Sequence, residues 1–388
     1  MKLPKGFKAS AVASGIKSQG LDLALILSES PCKVAGVFTS NRVKAAPVIY
    51  SKRILKKGMA QAIIVNSGCA NACTGKEGVK DAEEMAKTVE RALNLKPRSV
   101  LVASTGVIGK KLPLEKIKSA LPSLIQGLSH EGFQDVALAI MTTDTRPKIK
   151  SVEVKCGRLN GTILGIAKGA GMISPNLATM LCFLMTDIAC EPQTLQNCLK
   201  EAVSLSFNRI SVDGEQSTND TVFLMANGLE GTLNEKEIPI FKEALISLTM
   251  DIAQEIVKDA EGATKFVKIL IKGAKNDSEA KKAAFRIANS LLVKTALFGE
   301  DPNWGRIMAA LGDSGAKFSP DKVCIWINGL KVASEGKGIN IDHYELKETL
   351  RNKEILIELD LKEGRSKFEV FTCDLSYDYV RINAEYTT

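Results

Sequence analysis

Histidine is almost absent from this sequence: only two occur among 388 residues. His130 lies in the segment GLSHEGF and His343 in IDHYEL, both rich in polar residues. Neither stands in a pattern typical of a Ser-His-Asp or Cys-His catalytic site, and no HExxH metal-binding motif is present. If the chain is an enzyme, it therefore carries out its proton transfers without histidine.

Long hydrophobic runs are missing as well. The longest apolar segments span residues 136–141 and 180–185, whereas a membrane-spanning helix needs ~20 residues. The N-terminal segment lacks the continuous apolar core of a signal peptide. These absences predict a cytoplasmic protein without a membrane partner.

The nine cysteines are an odd number and show no zinc-type spacing. Cys69 and Cys73 form a CxxxC pair in SGCANACTG, but no second pair follows at the distance that a zinc site needs. Several others lie in apolar strings, where a free thiol packs as a small hydrophobic side chain. The pattern predicts reduced cysteines and no metal centre.

Aromatic residues make up only 5% of the chain, and its net charge of +8 is spread along the sequence. The basic stretches at 51–57 and 146–150 contain no aromatic residue. Binding of nucleic acid needs a basic face with aromatic platforms, so this class of function is disfavoured. The moderate positive charge instead favours an enzyme that attracts acidic metabolites.

Two glycine-rich segments do not match phosphate-binding loops. GVIGKK (106–111) lacks both the spacing and the Ser/Thr of a Walker loop. KGAGMISP (168–175) reads GxGxxS, and Pro175 interrupts the helix that it would have to open. The sequence therefore gives no reason to expect a nucleotide cofactor.

Strand-like and helical segments alternate through most of the chain, which predicts an α/β or α+β fold with a large buried core. Residues 76–93 predict an amphipathic helix, because their apolar side chains recur at helical spacing. Residues 180–186 predict a buried strand. Residues 47–52 and 379–386 are also interpreted as strands, and residues 278–297 as one long helix.

The segment 161–190 contains the sharpest candidate for catalysis. A turn rich in glycine and proline leads into Ala178-Thr179 and the apolar string MLCFLM. By spacing alone, such a segment is more often a loop before a core strand. If the bond before Thr179 is cut, however, the new α-amino group has a pKa of ~7.7–8.0 and can act as base for the hydroxyl of the same residue. A nucleophile of this kind needs no histidine.

Eight segments follow one another along the chain: PKGFKASAVASGIK, VNSGCANACTG, ASTGVIG, MTTDT, AKGAGMISPNLATML, FNRISVDGEQSTNDT, KTALFGEDPNWGRI and CDLSYDYVRINAEYTT. In this order they resemble the signatures of the ornithine acetyltransferase family, the glutamate N-acetyltransferases of arginine biosynthesis. The resemblance runs from end to end, and most of the segments are long enough to be specific.

The resemblance implies a role for individual residues of this sequence. Thr179 matches the nucleophile, which self-cleavage after Ala178 exposes. Thr105 and Gly106 match the pair that forms the oxyanion hole. The positions that match substrate contacts are Thr142, Lys168, Thr179, Glu261, Asn383 and Thr388.

The resemblance also implies the reaction and the architecture. The acetyl group of N2-acetyl-L-ornithine passes to L-glutamate through an acetyl-Thr179 intermediate, without a cofactor and with acetyl-CoA as an optional co-substrate. The implied fold is the αββα-type sandwich of self-cleaving enzymes with an N-terminal nucleophile. Residues 1–178 form the alpha chain and residues 179–388 the beta chain, and both fold together as one unit. Two chains of each kind are expected to form a heterotetramer.

Two other functions stay open at this point. A hydrolase on the same scaffold, an aminopeptidase or amidase, would use the same self-exposed nucleophile but admit water to the acyl-enzyme. A transferase must exclude water until the accepting amine arrives. A metabolite-binding protein without catalytic activity would not need Thr179 at all.

Overall fold

A computed structural model describes residues 1–174 and 180–385 of the chain. The chain divides into two compact units. The first contains Met1–Asn208 and Gln216–Ile256, and the second contains Arg209–Glu215 and Val257–Thr387. Within the described residues, no helix is both long enough and apolar enough to cross a membrane.

A mixed sheet forms the centre of the first unit, with eight strands in the described part of the chain. They are β1 Phe7–Val12, β2 Leu23–Phe38, β3 Met59–Asn66, β4 Val100–Ser104, β5 Lys148–Cys156, β6 Leu159–Lys168, β7 Leu181–Ala189 and β8 Thr221–Thr232. Seven follow the order β4-β3-β2-β8-β7-β6-β5, and β1 pairs with β2. β7 pairs antiparallel with β6 and parallel with β8. Every residue of β7 is buried, as expected for a strand covered on both faces.

The helices of the first unit cover this sheet. In the described residues they are α1 Ala46–Leu55, α2 Gly75–Ala92, α3 Leu114–Gln126, α4 Phe133–Ala139, α5 Pro192–Leu205 and α6 Ile238–Lys258, whose last two residues belong to the second unit. In α2, Ala82, Met85 and Val89 are buried at helical spacing. The amphipathic helix predicted at 76–93 is therefore confirmed.

The second unit is built on another sheet, of order β12-β11-β10-β13-β9-β14 as far as the structure describes it. Its strands are β9 Phe266–Ala274, β10 Cys324–Ile327, β11 Leu330–Ser334, β12 Lys337–Gly338, β13 Glu354–Asp360 and β14 Ser366–Cys373. Its helices are α7 Asp277–Ala288, α8 Leu291–Phe298, α9 Trp304–Gly312, α10 His343–Leu350 and α11 Tyr377–Glu385. In β9, alternate residues Val267, Ile269 and Ile271 are fully buried, so one face of the strand supplies the core.

The predicted α/β class is confirmed, but residues 47–52 are not a strand. They lie within α1, where Pro47 occupies the first turn. A backbone N–H in the first turn has no acceptor within the helix, so proline loses no hydrogen bond there, and its fixed φ suits helical geometry. Ala46, Tyr50 and Ile54 are buried four residues apart, so packing of one helical face decides the structure.

Two predictions for the second unit are also wrong. The expected strand at 379–386 is instead α11, as far as it is described, and an ion pair joins Asp378 and Arg381 across one turn. The expected single helix at 278–297 is divided into α7 and α8. The division occurs at Ser290, whose Oγ accepts a hydrogen bond from Val293 N–H and so begins a new helix.

Candidate active site

The residues predicted for catalysis and substrate binding fall into three groups. The first unit contains Thr105, Gly106, Thr142 and Lys168. The second unit contains Glu261 and Asn383. Ala178, Thr179 and Thr388 lie outside the described residues.

Met180, which follows Thr179 in the chain, is held by two hydrogen bonds. Its N–H donates to Asp220 Oδ1 at 3.1 Å, and its carbonyl oxygen accepts from Thr221 N–H at 3.2 Å. The parallel pairing of β7 with β8 continues from this point. Because Met180 N is bonded to the carbonyl carbon of Thr179, the carboxyl group of Asp220 lies at the start of the strand that the predicted nucleophile precedes.

The carboxyl group of Asp220 is fully buried. Among the described residues, its Oδ2 has no hydrogen-bond partner. Burial raises the pKa of Asp220 well above the usual range of an aspartate, against the opposing effects of Met180 N–H and the Lys168 ammonium group. Burial therefore favours the neutral, protonated form of this carboxyl group.

Replacement of Asp220 by asparagine is expected to change the free energy of unfolding at pH 7 by no more than ~1 kcal/mol, because burial already favours the uncharged carboxyl group and Oδ1 still accepts from Met180 N–H. Replacement of Asp220 by alanine is expected to lower the free energy of unfolding further, because Met180 N–H then lacks its acceptor. Urea denaturation of both variants measures the difference. A large loss of stability in Asp220→Asn would show that the native carboxyl group is ionised.

The Thr105-Gly106 turn follows directly on β4. Thr105 N–H donates to Asn66 O at 3.0 Å, at the end of β3. Asn219 Nδ2 donates to the carbonyl oxygen of Ser104 at 2.8 Å. These bonds connect the turn to the neighbouring strand and to the residues that precede β8, and so fix its position.

Gly106 occupies a position where no side chain fits. Its φ is +126°, and a Cβ atom there would lie 2.4 Å from the carbonyl carbon of Gly68. Both the backbone conformation and the close contact therefore require glycine. The contact places Gly106 directly against Gly68.

Two hydrogen-bond donors of this turn are unused. In the part of the protein that the structure describes, neither Gly106 N–H nor the hydroxyl of Thr105 has an acceptor, although Thr105 is only 4% exposed. Preorganised donors of this kind stabilise the negative charge that develops on a carbonyl oxygen. Because Thr105 N–H is bonded to Asn66, the pair available to an oxyanion consists of the Thr105 hydroxyl and Gly106 N–H.

Lys168, the last residue of β6, is 2% exposed and belongs to a buried polar cluster. Its Nζ donates to Thr142 Oγ1 at 2.7 Å and lies 3.8 Å from Asp144 Oδ2. Asp144 accepts from Thr142 N–H at 3.1 Å and from Gly169 N–H at 2.6 Å. Lys148 Nζ donates to Asp144 Oδ1 at 2.7 Å. The structure therefore brings Thr142 and Lys168 together around one carboxylate.

Asp144 is ionised in spite of its burial. Burial alone disfavours the charged form, but the ammonium groups of Lys168 and Lys148 and the N–H of Gly169 outweigh it and lower the pKa of Asp144 to about 2. The first unit thus contains two buried aspartates whose pKa values are shifted in opposite directions, that of Asp144 downwards and that of Asp220 upwards.

Glu261 and Asn383 are in contact within the second unit. Asn383 Nδ2, in α11, donates to Glu261 Oε2 at 2.7 Å. The turn of Glu261 is held against the start of α11, because Ser376 Oγ donates to Gly262 O at 2.5 Å. Gly262 has a φ of +66°, and a Cβ atom there would lie 2.5 Å from Tyr379 N, so glycine is needed for this contact.

Sequence reasoning does not single out Asp144, Asn219, Asp220 or Lys17, which the structure places beside the predicted residues. Asn219-Asp220 directly precede the apolar string TVFLMA, and two polar residues at the start of a buried strand are a signal that could have been used. Asp144 follows two residues after Thr142 in MTTDT, and short polar side chains often bind nearby backbone N–H groups.

Comparison with known proteins supports the resemblance seen in the sequence. The family model described as ArgJ family matches residues 8–388. The chain is 49% identical to the arginine biosynthesis bifunctional protein ArgJ of Caldanaerobacter subterraneus subsp. tengcongensis, an alignment that covers 100% of this chain and 98% of that protein. It is 47% identical to the glutamate N-acetyltransferase of Methanocaldococcus jannaschii, with 99% and 98% covered.

A solved structure is similar as well. The crystal structure of the arginine biosynthesis bifunctional protein ArgJ from Bacillus halodurans matches with a TM-score of 0.52 and 39% sequence identity. The match covers 54% of this chain and 100% of that chain. With a family match over nearly its full length and relatives of this similarity, the chain belongs to the ArgJ family.

Proposed function

We propose that the protein transfers the acetyl group of N2-acetyl-L-ornithine to L-glutamate, giving ornithine and N-acetylglutamate in arginine biosynthesis. The proposal is carried by the unused donor pair of Thr105 and Gly106, in a chain whose relatives are named glutamate N-acetyltransferase and arginine biosynthesis bifunctional protein. Acyl transfer passes through a tetrahedral oxyanion, which such donors stabilise.

The nucleophile of this proposal is Thr179, exposed by self-cleavage after Ala178. Cleavage divides the chain into an alpha chain of 178 residues and a beta chain of 388 − 178 = 210 residues. β6 ends before the cleaved bond, β7 begins after it, and the two strands pair with each other. This pairing supports two chains that fold together as one unit. A heterotetramer with two copies of each chain, in the cytoplasm, completes the proposal.

The chemistry follows from the groups on Thr179 and on the Thr105-Gly106 turn. The α-amino group of Thr179 takes the proton of its own hydroxyl, and the hydroxyl oxygen attacks the acetyl carbonyl carbon. The Thr105 hydroxyl and Gly106 N–H stabilise the oxyanion. The C–N bond then breaks, the Thr179 ammonium group gives its proton to the departing ornithine amine, and an acetyl ester of Thr179 remains. The amine of glutamate attacks this ester in the reverse sequence, so no cofactor is needed.

Substrate recognition is assigned to the remaining predicted residues. Thr142 and Lys168 contact the amino-acid end that ornithine and glutamate share. Glu261 binds the side-chain ammonium group of ornithine, and Asn383 orients the Glu261 carboxylate through the 2.7 Å hydrogen bond between them. Thr388 completes the contacts. Small-molecule substrates are thus the partners that the proposal requires.

The test is the release of ornithine from N2-acetylornithine with and without glutamate. A transferase releases ornithine in step with formation of N-acetylglutamate, and release without glutamate stays slow. Deacetylation at an equal rate without glutamate would instead identify the self-cleaving amidase. A further reaction with acetyl-CoA and glutamate, without acetylornithine, determines whether acetyl-CoA is a second donor.

Thr105→Val is expected to lower kcat by roughly 10²-fold, because the valine keeps the shape of the buried side chain but removes one oxyanion donor. The KM for acetylornithine should change much less, since the hydroxyl acts on charge that develops only in the transition state. Steady-state kinetics measures both constants. Thr105→Ser, which keeps the hydroxyl, is the matched control, and an unchanged kcat in Thr105→Val would remove Thr105 from the oxyanion hole.

A further inference from the structure

Lys17 lies in the loop between β1 and β2, at a position that the loop itself fixes. Its N–H donates to Asp22 Oδ2 at 2.9 Å, and the N–H and hydroxyl of Ser14 donate to Asp22 Oδ1 at 2.6 and 2.7 Å. Asp22 is fully buried, and its carbonyl oxygen accepts from Ser67 N–H at 2.9 Å. The backbone of Lys17 is therefore held against the segment that follows β3.

The aliphatic part of Lys17 packs over Gly68. A Cβ atom on Gly68 would lie 2.9 Å from Lys17 Cγ, so the lysine side chain crosses this glycine at contact distance. Gly68 lies in turn against Gly106. Gly68 thus contacts both the Lys17 side chain and the turn that carries the unused donors.

The ammonium group of Lys17 reaches the second cluster of the site. Its Nζ donates to Met141 O at 3.2 Å. Met141 directly precedes Thr142, whose hydroxyl accepts from Lys168. The Lys17 side chain therefore extends from Gly68 to the residue that precedes Thr142.

This ammonium group is not paired directly with a carboxylate in the described part of the chain. Lys17 is half-buried and forms no ion pair within 4.0 Å among the described residues. Burial lowers the pKa of Lys17, Asp22 and Asp144 oppose this effect, and the Lys168 ammonium group adds to it. With one carbonyl oxygen as its acceptor, the group has N–H donors left for an anion, and a charged acceptor gives the stronger hydrogen bond.

We propose that Lys17 binds the α-carboxylate of both the acetyl donor and the acetyl acceptor, and so restricts this site to amino acids. The inference rests on the proposed function. In N2-acetylornithine the carboxylate carbon is three bonds from the carbonyl carbon under attack, so the cation that binds it must lie in the same part of the site as the oxyanion donors. Lys17 Cγ contacts Gly68, against which Gly106 packs, and Lys17 Nζ lies at the carbonyl oxygen of the residue that precedes Thr142. Because ornithine and glutamate share the α-carboxylate, one cation serves both half-reactions.

The experiment compares L-ornithine with putrescine, which lacks only the carboxylate. Isothermal titration with the mature protein gives the Kd of each, and steady-state kinetics gives kcat and KM for acetylornithine. Lys17→Met keeps the aliphatic packing on Gly68 and removes the charge. We expect it to weaken ornithine binding and raise the KM for acetylornithine by about 10- to 100-fold, with kcat changed far less and the Kd of putrescine unchanged.

Two controls separate a binding role from a structural one. Lys17→Arg keeps the charge and is expected to retain most of the preference for ornithine over putrescine. Lys116→Met removes another ammonium group bonded to the same loop, at Gly15 O, and should change nothing. An unchanged ratio of the two Kd values in Lys17→Met would overturn the proposal for Lys17 and leave the transferase intact. A wild-type protein that neither binds ornithine nor releases it from acetylornithine would overturn both.

Discussion

Thr179→Ala is expected to yield a single uncut chain of 41.8 kDa without measurable acetyl transfer. In the proposed mechanism the hydroxyl of Thr179 attacks both the preceding peptide bond and the acetyl group, so its removal should abolish maturation and catalysis together. From the mass of 41.8 kDa for 388 residues, the proposed 178- and 210-residue chains of the wild-type protein should have masses of about 19 and 23 kDa. Intact mass spectrometry of the denatured protein and the acetylornithine–glutamate assay measure the two effects.

The controls for Thr179 distinguish the remaining functions. Thr179→Ser keeps a hydroxyl and should retain cleavage and part of the activity, whereas Thr295→Ala, on α8, should behave as wild type. A fully active Thr179→Ala variant would favour a protein that binds metabolites without catalysis. A wild-type chain that stays uncut and yet transfers acetyl groups would remove the α-amino base from the mechanism.

Asp144→Asn is expected to lower the free energy of unfolding by ~3–5 kcal/mol at pH 7. The substitution removes the negative charge that the ammonium groups of Lys148 and Lys168 contact, and both side chains are almost completely buried. Loss of one partner of a buried ion pair is costly because the other charge stays out of water. Urea denaturation followed by circular dichroism measures the change.

The matched control is Asp313→Asn in the second unit. Asp313 pairs with Arg286 at 2.6 Å, but 70% of its side chain is exposed, so its removal should cost ~0–1 kcal/mol. Equal costs for the two variants would mean that the Asp144 cluster is hydrated and contributes no more than a surface pair.

The stabilising effect of Asp144 should also depend on pH in a defined direction. Its pKa in the folded protein is about 2, below the value of ~3.9 in an unfolded chain. The contribution is therefore complete well above pH ~4 and is lost as the pH falls towards 2. The difference in stability between wild type and Asp144→Asn should shrink from pH 7 to pH 3, and a difference that grows on acidification would contradict this assignment.

Periodicity predicted the elements whose packing follows directly from their own residues. α2 shows its apolar stripe in sequence, and β7 lies in a short apolar run that only a buried element can contain. Hydrophobic periodicity did not predict the helices α1 and α11. In α1 the β-branched residues favour a strand locally, and burial of Ala46, Tyr50 and Ile54 overrides that preference.

Only those residues of the candidate site that lie within a recognisable sequence motif could be predicted. Thr105 and Gly106 belong to one short motif, and Lys168 lies in another. The carboxyl groups that support them are brought together from separate parts of the chain: Asp220 N-terminal to β8 binds Met180 N–H, and Asp144 contacts Lys168. Lys17 is more distant still in sequence from Met141, and no local pattern signals a contact over such a separation.

The strand order of the first unit has a consequence for the timing of the proposed cleavage before Thr179. β7 and β8, which follow Thr179, are inserted between β2 and β6, which precede it. An alpha chain made alone would thus have a gap two strands wide in its sheet, with unpaired backbone groups on both margins. The gap can be filled only while the two parts assemble together. If the proposed cleavage takes place, folding must therefore come before the cut, and the severed halves could not be exchanged between molecules without unfolding the sheet.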